Sequence, residues 1–159
     1  MELHIVIPGE PVGKRVQARA LKMGKVVRAQ YFIPKHVQEY IDLVADYARL
    51  EVAEQGWHVP EDNEALCVDV DAYFPVRKSW SRQKTADALA YYHTGTPDRD
   101  NIEKSVFDGL MGPKIGARTH EPIVVMDDGQ FATGTTTKHY CEIGWERVEI
   151  RVSVLPRLS

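Results

Sequence analysis

Apolar positions recur along the chain with two different periods, and the changes of period divide it into elements. Residues 3–7 (LHIVI) form a short β-rich run stopped by Pro8-Gly9. Residues 9–29 are basic, with a hairpin suggested around Met23-Gly24-Lys25, and residues 29–33 suggest a second short strand. Pro34 then opens a helix at the position where its missing N–H costs least. Val37, Tyr40, Ile41, Val44, Tyr47, Ala48 and Val52 return at helical spacing, and Gly56 suits a C-cap. Residues 65–74 (ALCVDVDAYF) alternate as a half-buried strand ended by Pro75. Residues 76–97 read as a polar connection with a short helix at 83–91. A second main helix is expected to begin at Asp100, where Asp100-Asn101-Ile102-Glu103 has the spacing of a capping box. It would bury Ile102, Val106 and Leu110 and stop at Gly112-Pro113. Residues 123–126, 131–142 and 148–155 read as strands, the last (VEIRVSVL) alternating clearly. This order, without an internal repeat, predicts an α+β fold: one domain over residues 1–159, with a mixed or antiparallel sheet and two main helices on one face.

Composition narrows the class. The chain has 159 residues, 43% of them apolar, the size of one ordinary domain with one core. No apolar run approaches the roughly 18 residues of a membrane span, and the first residues read as a strand and not as a secretory signal. Cys67 and Cys141 are the only cysteines, too few for a disulfide scaffold and without zinc spacing. A reducing cytoplasm is the expected setting.

Charge changes the picture more than composition does. The formal net charge is −3, yet residues 11–38 carry Lys14, Arg15, Arg19, Lys22, Lys25, Arg28 and Lys35 and no acid. Residues 72–86 add Arg77, Lys78, Arg82 and Lys84, again without an acid. Such segregation can present a positive face to phosphates while the rest stays acidic; a pair of solvated basic loops is the alternative.

The candidate chemistry lies in Thr96-Pro97-Asp98-Arg99-Asp100-Asn101-Ile102-Glu103-Lys104. Asp98 and Asp100, two apart in chain leading into a helix, are expected to point to one side. Lys104 lies four residues beyond Asp100 on the same helical face. A second acidic pair, Asp127-Asp128, follows the apolar run 123–126. Hard cations such as Mg²⁺ take carboxylate oxygens together with substrate phosphate oxygens, and a nearby lysine can offset charge on a phosphoryl group. Each piece alone also has a plain reading: Asp100 as an N-cap, Lys104 as its i,i+4 partner, and residues 127–129 as a turn. Spacing alone does not bring the two segments together.

The pattern Pro97-Asp98-Arg99-Asp100-Asn101-Ile102 with Lys104 and Asp108, followed by Asp127-Asp128-Gly129-Gln130, resembles the RusA family of Holliday-junction resolvases of bacteria and prophages. The opening Ile5-Val6-Ile7-Pro8-Gly9-Glu10-Pro11-Val12-Gly13-Lys14 is similar to the first strand and basic turn of phage-type members, so the resemblance covers nearly the whole chain. It implies a homodimeric, Mg²⁺-dependent endodeoxyribonuclease that resolves four-way DNA junctions by paired nicks, with Mn²⁺ as a possible substitute. By the same resemblance Asp98, Asp100 and Asp128 are metal-binding acids and Lys104 is the catalytic lysine. Asp127, Asn101 and Asp108 support the site. The expected DNA contacts are Lys14, Arg15, Arg19, Arg77, Lys78, Arg82 and Lys84. Trp80, Tyr91 and Tyr92 could stack on unpaired bases, with local packing the favoured alternative. Two departures stand out: Thr96 where members often carry Lys or Arg, and a long connection over residues 111–122 with Lys114, Arg118 and His120. The competing readings are a nuclease for flaps or other branched DNA and a non-catalytic DNA-binding protein.

Overall fold

A computed structural model of the chain describes residues 1–116 and 119–159. The sheet is built from strands whose alternate residues are apolar. In β1 (Glu2–Pro8) Leu3, Ile5 and Ile7 are buried while their neighbours face outward. β1 pairs antiparallel with β9 (Arg147–Val154), and β9 pairs antiparallel with β4 (Leu66–Pro75). The register lines up the inward residues in rows: Leu3, Val152 and Val68; Ile5, Ile150 and Val70; Ile7, Val148 and Ala72. Directly opposed residues share a face, so a slip of one residue would turn every row toward water. On its other edge β4 pairs in parallel with β7 (Phe131–Thr133) and then β8 (Thr136–Cys141). The sheet is therefore mixed, and the class is α+β as expected.

Helices cover the buried face of the sheet. α1 (Lys35–Gln55) buries Val37, Tyr40, Ile41, Val44, Ala45 and Ala48. It ends at Gly56, whose left-handed φ of 67° is the backbone the C-cap requires. Pro34 stands as its N-cap, one position earlier than expected. α3 (Arg99–Met111) buries Ile102, Ser105, Val106, Gly109 and Leu110 against the same core. The two helices touch where Gly109 meets Val44: a Cβ on Gly109 would lie 2.4 Å from Val44 Cγ1. A short α2 (Arg82–Leu89) precedes α3, its N-cap Ser81 accepting a hydrogen bond from the Lys84 N–H at 3.1 Å.

Four expectations change. The expected hairpin and second strand form one ribbon, β2 (Gln17–Met23) with β3 (Val26–Phe32), outside the main sheet. Residues 123–126 are not a strand. Ile123, Val124 and Val125 are buried, but the Val124 N–H donates to the Leu110 carbonyl at 3.0 Å and its carbonyl accepts from Trp57 Nε1 at 3.0 Å. The helix end and an indole satisfy this backbone, which leaves no ladder to join. Residues 131–142 are two strands, broken at Gly134, where a Cβ would strike the Val68 backbone. The connection after α3 carries a small hairpin, β5 (Lys114–Ile115) with β6 (Thr119–His120); Arg118 lies outside the described residues.

The contact at Gly109 gives a direct stability test. Gly109→Val forces α3 away from α1 and should destabilise the protein by about 1–3 kcal/mol in urea unfolding. An unchanged midpoint would mean that the helices can part at no cost.

Candidate active site

α3 starts two residues earlier than the capping-box pattern suggests. The N-cap is Asp98, extended at φ −67°, ψ 154°, and its carbonyl accepts from the Asn101 and Ile102 N–H groups. The Asp98 carboxylate makes no cap hydrogen bond, and Asp100 already lies in the first helical turn. The expected Asp100–Glu103 box does not form, because Glu103 accepts from the buried Thr136 hydroxyl of β8 at 2.7 Å. Asp100 is thus helical, and extended-chain geometry applies to Asp98 alone. Both carboxylates are exposed at the N-terminal end of α3. Lys104 reaches back one turn to Asp100, Nζ to Oδ2 at 3.4 Å, a contact open to solvent.

The approach to Asp98 is held by a residue from the sheet. Lys138 of β8 donates to the carbonyls of Gly95, at 2.5 Å, and Pro97, at 2.9 Å. Burial pushes its ammonium below the ordinary lysine value, against the pull of Asp98. One turn of chain earlier, the His93 N–H donates to the Lys138 carbonyl, and the His93 ring stacks on Phe74 at 4.0 Å. Burial first, and Lys138 second, lower the His93 pKa to about 4, and Nδ1 is buried with no hydrogen-bond partner. On the other side of the helix start, residues 11–14 pack closely. The Lys14 N–H donates to the Asn101 carbonyl at 2.8 Å, Ser105 Oγ donates to the Val12 carbonyl at 2.7 Å, and Gly13 lies so near Pro97 that a Cβ would come within 2.6 Å. A cavity of about 410 Å³ opens here, lined by Gly13, Arg15, His36, Pro97, Asp98 and Asn101 among others.

The second acidic segment arrives further along α3. Asp127 caps a 3-10 turn (Asp128–Gln130), accepting from the Gly129 N–H at 2.8 Å, while the Gln130 side chain reaches back to the Asp127 N–H. This is the capping box the sequence holds at Asp127-Asp128-Gly129-Gln130. The turn lies against α3, and Phe131 just beyond it meets Phe107 at 4.7 Å, about two helical turns past Asp100. The Asp128 side chain is exposed and makes no hydrogen bond or ion pair among the described residues. Among those residues no three His, Cys, Asp or Glu side chains stand close enough to hold a metal ion.

A family model for endodeoxyribonuclease RusA matches residues 8–153. The chain belongs to the RusA family. No curated protein matches it.

Set on this RusA fold, the expected site residues fall into three groups. Asp98, Asp100, Asn101 and Lys104 share one helix start, as local spacing required. Asp108 is neither exposed nor alone: Lys14 Nζ meets its Oδ2 at 2.5 Å, which ties residues 11–14 to α3. Asp128 belongs to another segment and reaches only the neighbourhood of the helix. Lys138, Glu103 and Thr136 were not foreseen. Lys138 sits in TTTKHY, which carries no motif, and only the parallel pairing of β8 with β4 brings it to the Asp98 loop. Of the aromatics, Trp80 packs on Tyr140 beneath Lys84, whereas Tyr91 and Tyr92 are exposed. Arg15, Arg19, Arg77, Lys78, Arg82 and Lys84 are all at the surface.

His93 makes the segment before Asp98 sensitive to acid. The native ring stays neutral down to about 4, whereas the unfolded chain takes up the proton near the ordinary 6.5. Stability from this site is complete above pH 6.5 and is lost as the pH falls toward 4. His93→Phe keeps a ring on Phe74 and removes the titration. The fall in melting temperature between pH 6.5 and 4 should be shallower in the variant. Identical pH profiles would refute the assignment.

Proposed function

We propose that this chain is a Mg²⁺-dependent endodeoxyribonuclease that resolves four-way DNA junctions as a homodimer, by paired nicks. The carrying observation is the start of α3. Two carboxylates without capping bonds and a lysine one turn away stand on one rigid helix end, in a family of endodeoxyribonucleases.

The donor set suits a hard cation. Asp98 and Asp100 offer carboxylate oxygens from one helix start, Asp100 also meeting Lys104. The three acids do not stand close enough to hold an ion together in this structure, so Asp128 would complete the set only by closing on the helix start as metal and DNA bind. Mg²⁺ prefers such oxygen ligands and keeps room for phosphate oxygens, and Mn²⁺ shares the preference. Bound there, the ion supplies Lewis acidity and neutralises charge at the scissile phosphate. The protein's own part is positioning. Lys138 and residues 11–14 hold the Asp98 loop against the helix start, so the backbone that carries Asp98 need not reorganise as phosphate arrives. Lys104 is free to leave its long contact with Asp100 and offset the charge that develops while water adds to phosphorus and the leaving oxygen departs.

The surface supports a nucleic-acid substrate. Arg15 lines the cavity beside Asp98, and the hairpin after it is basic. A two-fold symmetric dimer matches a four-way junction, which itself offers two equivalent strands for cutting.

Cleavage of a synthetic four-way junction, a flap and a linear duplex with Mg²⁺ tests this function. The junction should be cut fastest, and EDTA should abolish cutting. Asp98→Asn should bind the junction without cutting it, and Lys104→Ala should be slower by about 10²–10³-fold. Full cleavage by Asp98→Asn, or cleavage that survives EDTA, would defeat the metal-dependent reading.

A further inference from the structure

The β2–β3 ribbon does nothing for the core, and no step of the proposed chemistry uses it. It leaves the body beside Asp98 and returns to the same place: Arg15, just before β2, and His36, just after β3, line one cavity with Asp98. Every residue of β2 is exposed, as are five of the seven in β3, and none joins the core. An isolated two-stranded ribbon is marginal in water. Beyond its backbone ladder, its side-chain ties are few. Arg19 Nε donates to Gln30 Oε1 at 2.7 Å, its guanidinium lies 5.4 Å from the Phe32 ring centre, and Gly24, at φ 65°, makes the two-residue turn. A ribbon held out in this way needs something to lie against.

Its chemistry says what that is. Arg19, Lys22, Lys25 and Arg28 lie along it without an acid. The register places Arg19, Leu21 and Met23 on one face with Gln30, Arg28 and Val26, and Ala18, Ala20 and Lys22 on the other with Tyr31, Ala29 and Val27. Toward the turn the apolar residues gather: Leu21, Met23, Val26 and Val27 are all exposed, Met23 by 64% and Val27 by 62%. A soluble protein rarely leaves such a cluster in water without a use for it.

We propose that the β2–β3 hairpin is a DNA-inserting arm, holding phosphates with Arg19, Lys22, Lys25 and Arg28 and pressing Leu21, Met23, Val26 and Val27 against unstacked bases at a branch point. This rests on the endonuclease reading and adds to it the element that recognises branching. A two-stranded ribbon fits the major groove, which is about 12 Å wide. Seven-residue strands reach about 23 Å from their base. Apolar side chains at the tip are the kind that wedge between bases, and a branch point offers bases already poorly stacked, where insertion costs least. A second copy of the chain is a poorer occupant, because a symmetric contact would set four cations against four cations with no acid between them.

The test compares three variants with the wild type on a four-way junction carrying 2-aminopurine at the branch. In the first, a two-residue Asn-Gly turn replaces residues 18–31 and joins the paired residues Gln17 and Phe32. The second replaces Leu21, Met23, Val26 and Val27 by Ser. The third replaces Arg19, Lys22, Lys25 and Arg28 by Ala. Melting temperature should barely change in any of them. Wild-type binding should raise the 2-aminopurine fluorescence. The serine variant should leave it flat at saturation and lose its preference for junction over duplex by about tenfold or more. In the alanine variant the slope of log affinity against log salt should shrink by about 3–4. The shortened chain should show both losses. Unchanged fluorescence and salt slope across the variants would overturn the arm. So would a shortened chain that sediments at half the wild-type mass, since the ribbon would then be a chain–chain contact. The two readings fail separately: a wild type that neither binds nor cuts branched DNA defeats both, whereas a shortened chain that binds and cuts as well as the wild type defeats the arm alone.

Discussion

α3 can sit against α1 only because residue 109 has no side chain. Val44 occupies the space a Cβ would need, and the Ile41 carbonyl lies close behind it. From that contact the helix runs back over the core through Val106 and Ile102, and its first turn emerges at the surface. Asp98, Asp100 and Lys104 take their positions from a helix whose inner face is fully packed. Cores of this density transmit a shift at one end of an element to the other. The loop entering the helix is tied just as firmly, by Lys138 from the sheet and by residues 11–14 through Asn101, Ser105 and Asp108.

Electrostatics then separates acids that work on the fold from acids left open. Asp108 is matched by Lys14, and Asp127 is spent on its own turn. Glu103 is matched by Thr136. Asp98 and Asp100 stand exposed at the N-terminal end of α3, where the backbone N–H groups present positive potential. Asp128 is exposed on the neighbouring turn. The acids with other duties are the ones that build the scaffold, and those without them are the ones the proposed chemistry requires.

Much of this was legible in the sequence. A β-rich run stopped by Pro8-Gly9 marked β1, alternation marked β4 and β9, and helical spacing marked α1 and the inner face of α3. The site's local half, Asp98 to Lys104, could be read because a helix start makes neighbours of residues close in sequence. The misreadings share a cause, since local patterns cannot say where a backbone finds its partners. Residues 123–126 look like a strand, yet Trp57 and the end of α3 satisfy them. Asp100 has the spacing of a cap, yet β8 takes Glu103 away. Lys138 was invisible because only the parallel pairing of β4 and β8, a tertiary fact, brings it to the Asp98 loop. The ribbon after β1 was half read, its charge noted and its separation from the core not foreseen, since nothing in a seven-residue strand announces that no sheet will receive it.

The weight of the account falls on Asp128, the one acid of the proposed set that local geometry does not deliver. Binding of Mn²⁺, followed by the electron paramagnetic resonance of the free ion, measures its part without reference to cutting. If Asp98, Asp100 and Asp128 hold one cation together, Asp98→Asn and Asp128→Asn should each weaken binding by about tenfold or more relative to wild type. Wild-type affinity in Asp128→Asn, with affinity lost in Asp98→Asn, would contradict it and leave the metal to the start of α3 alone.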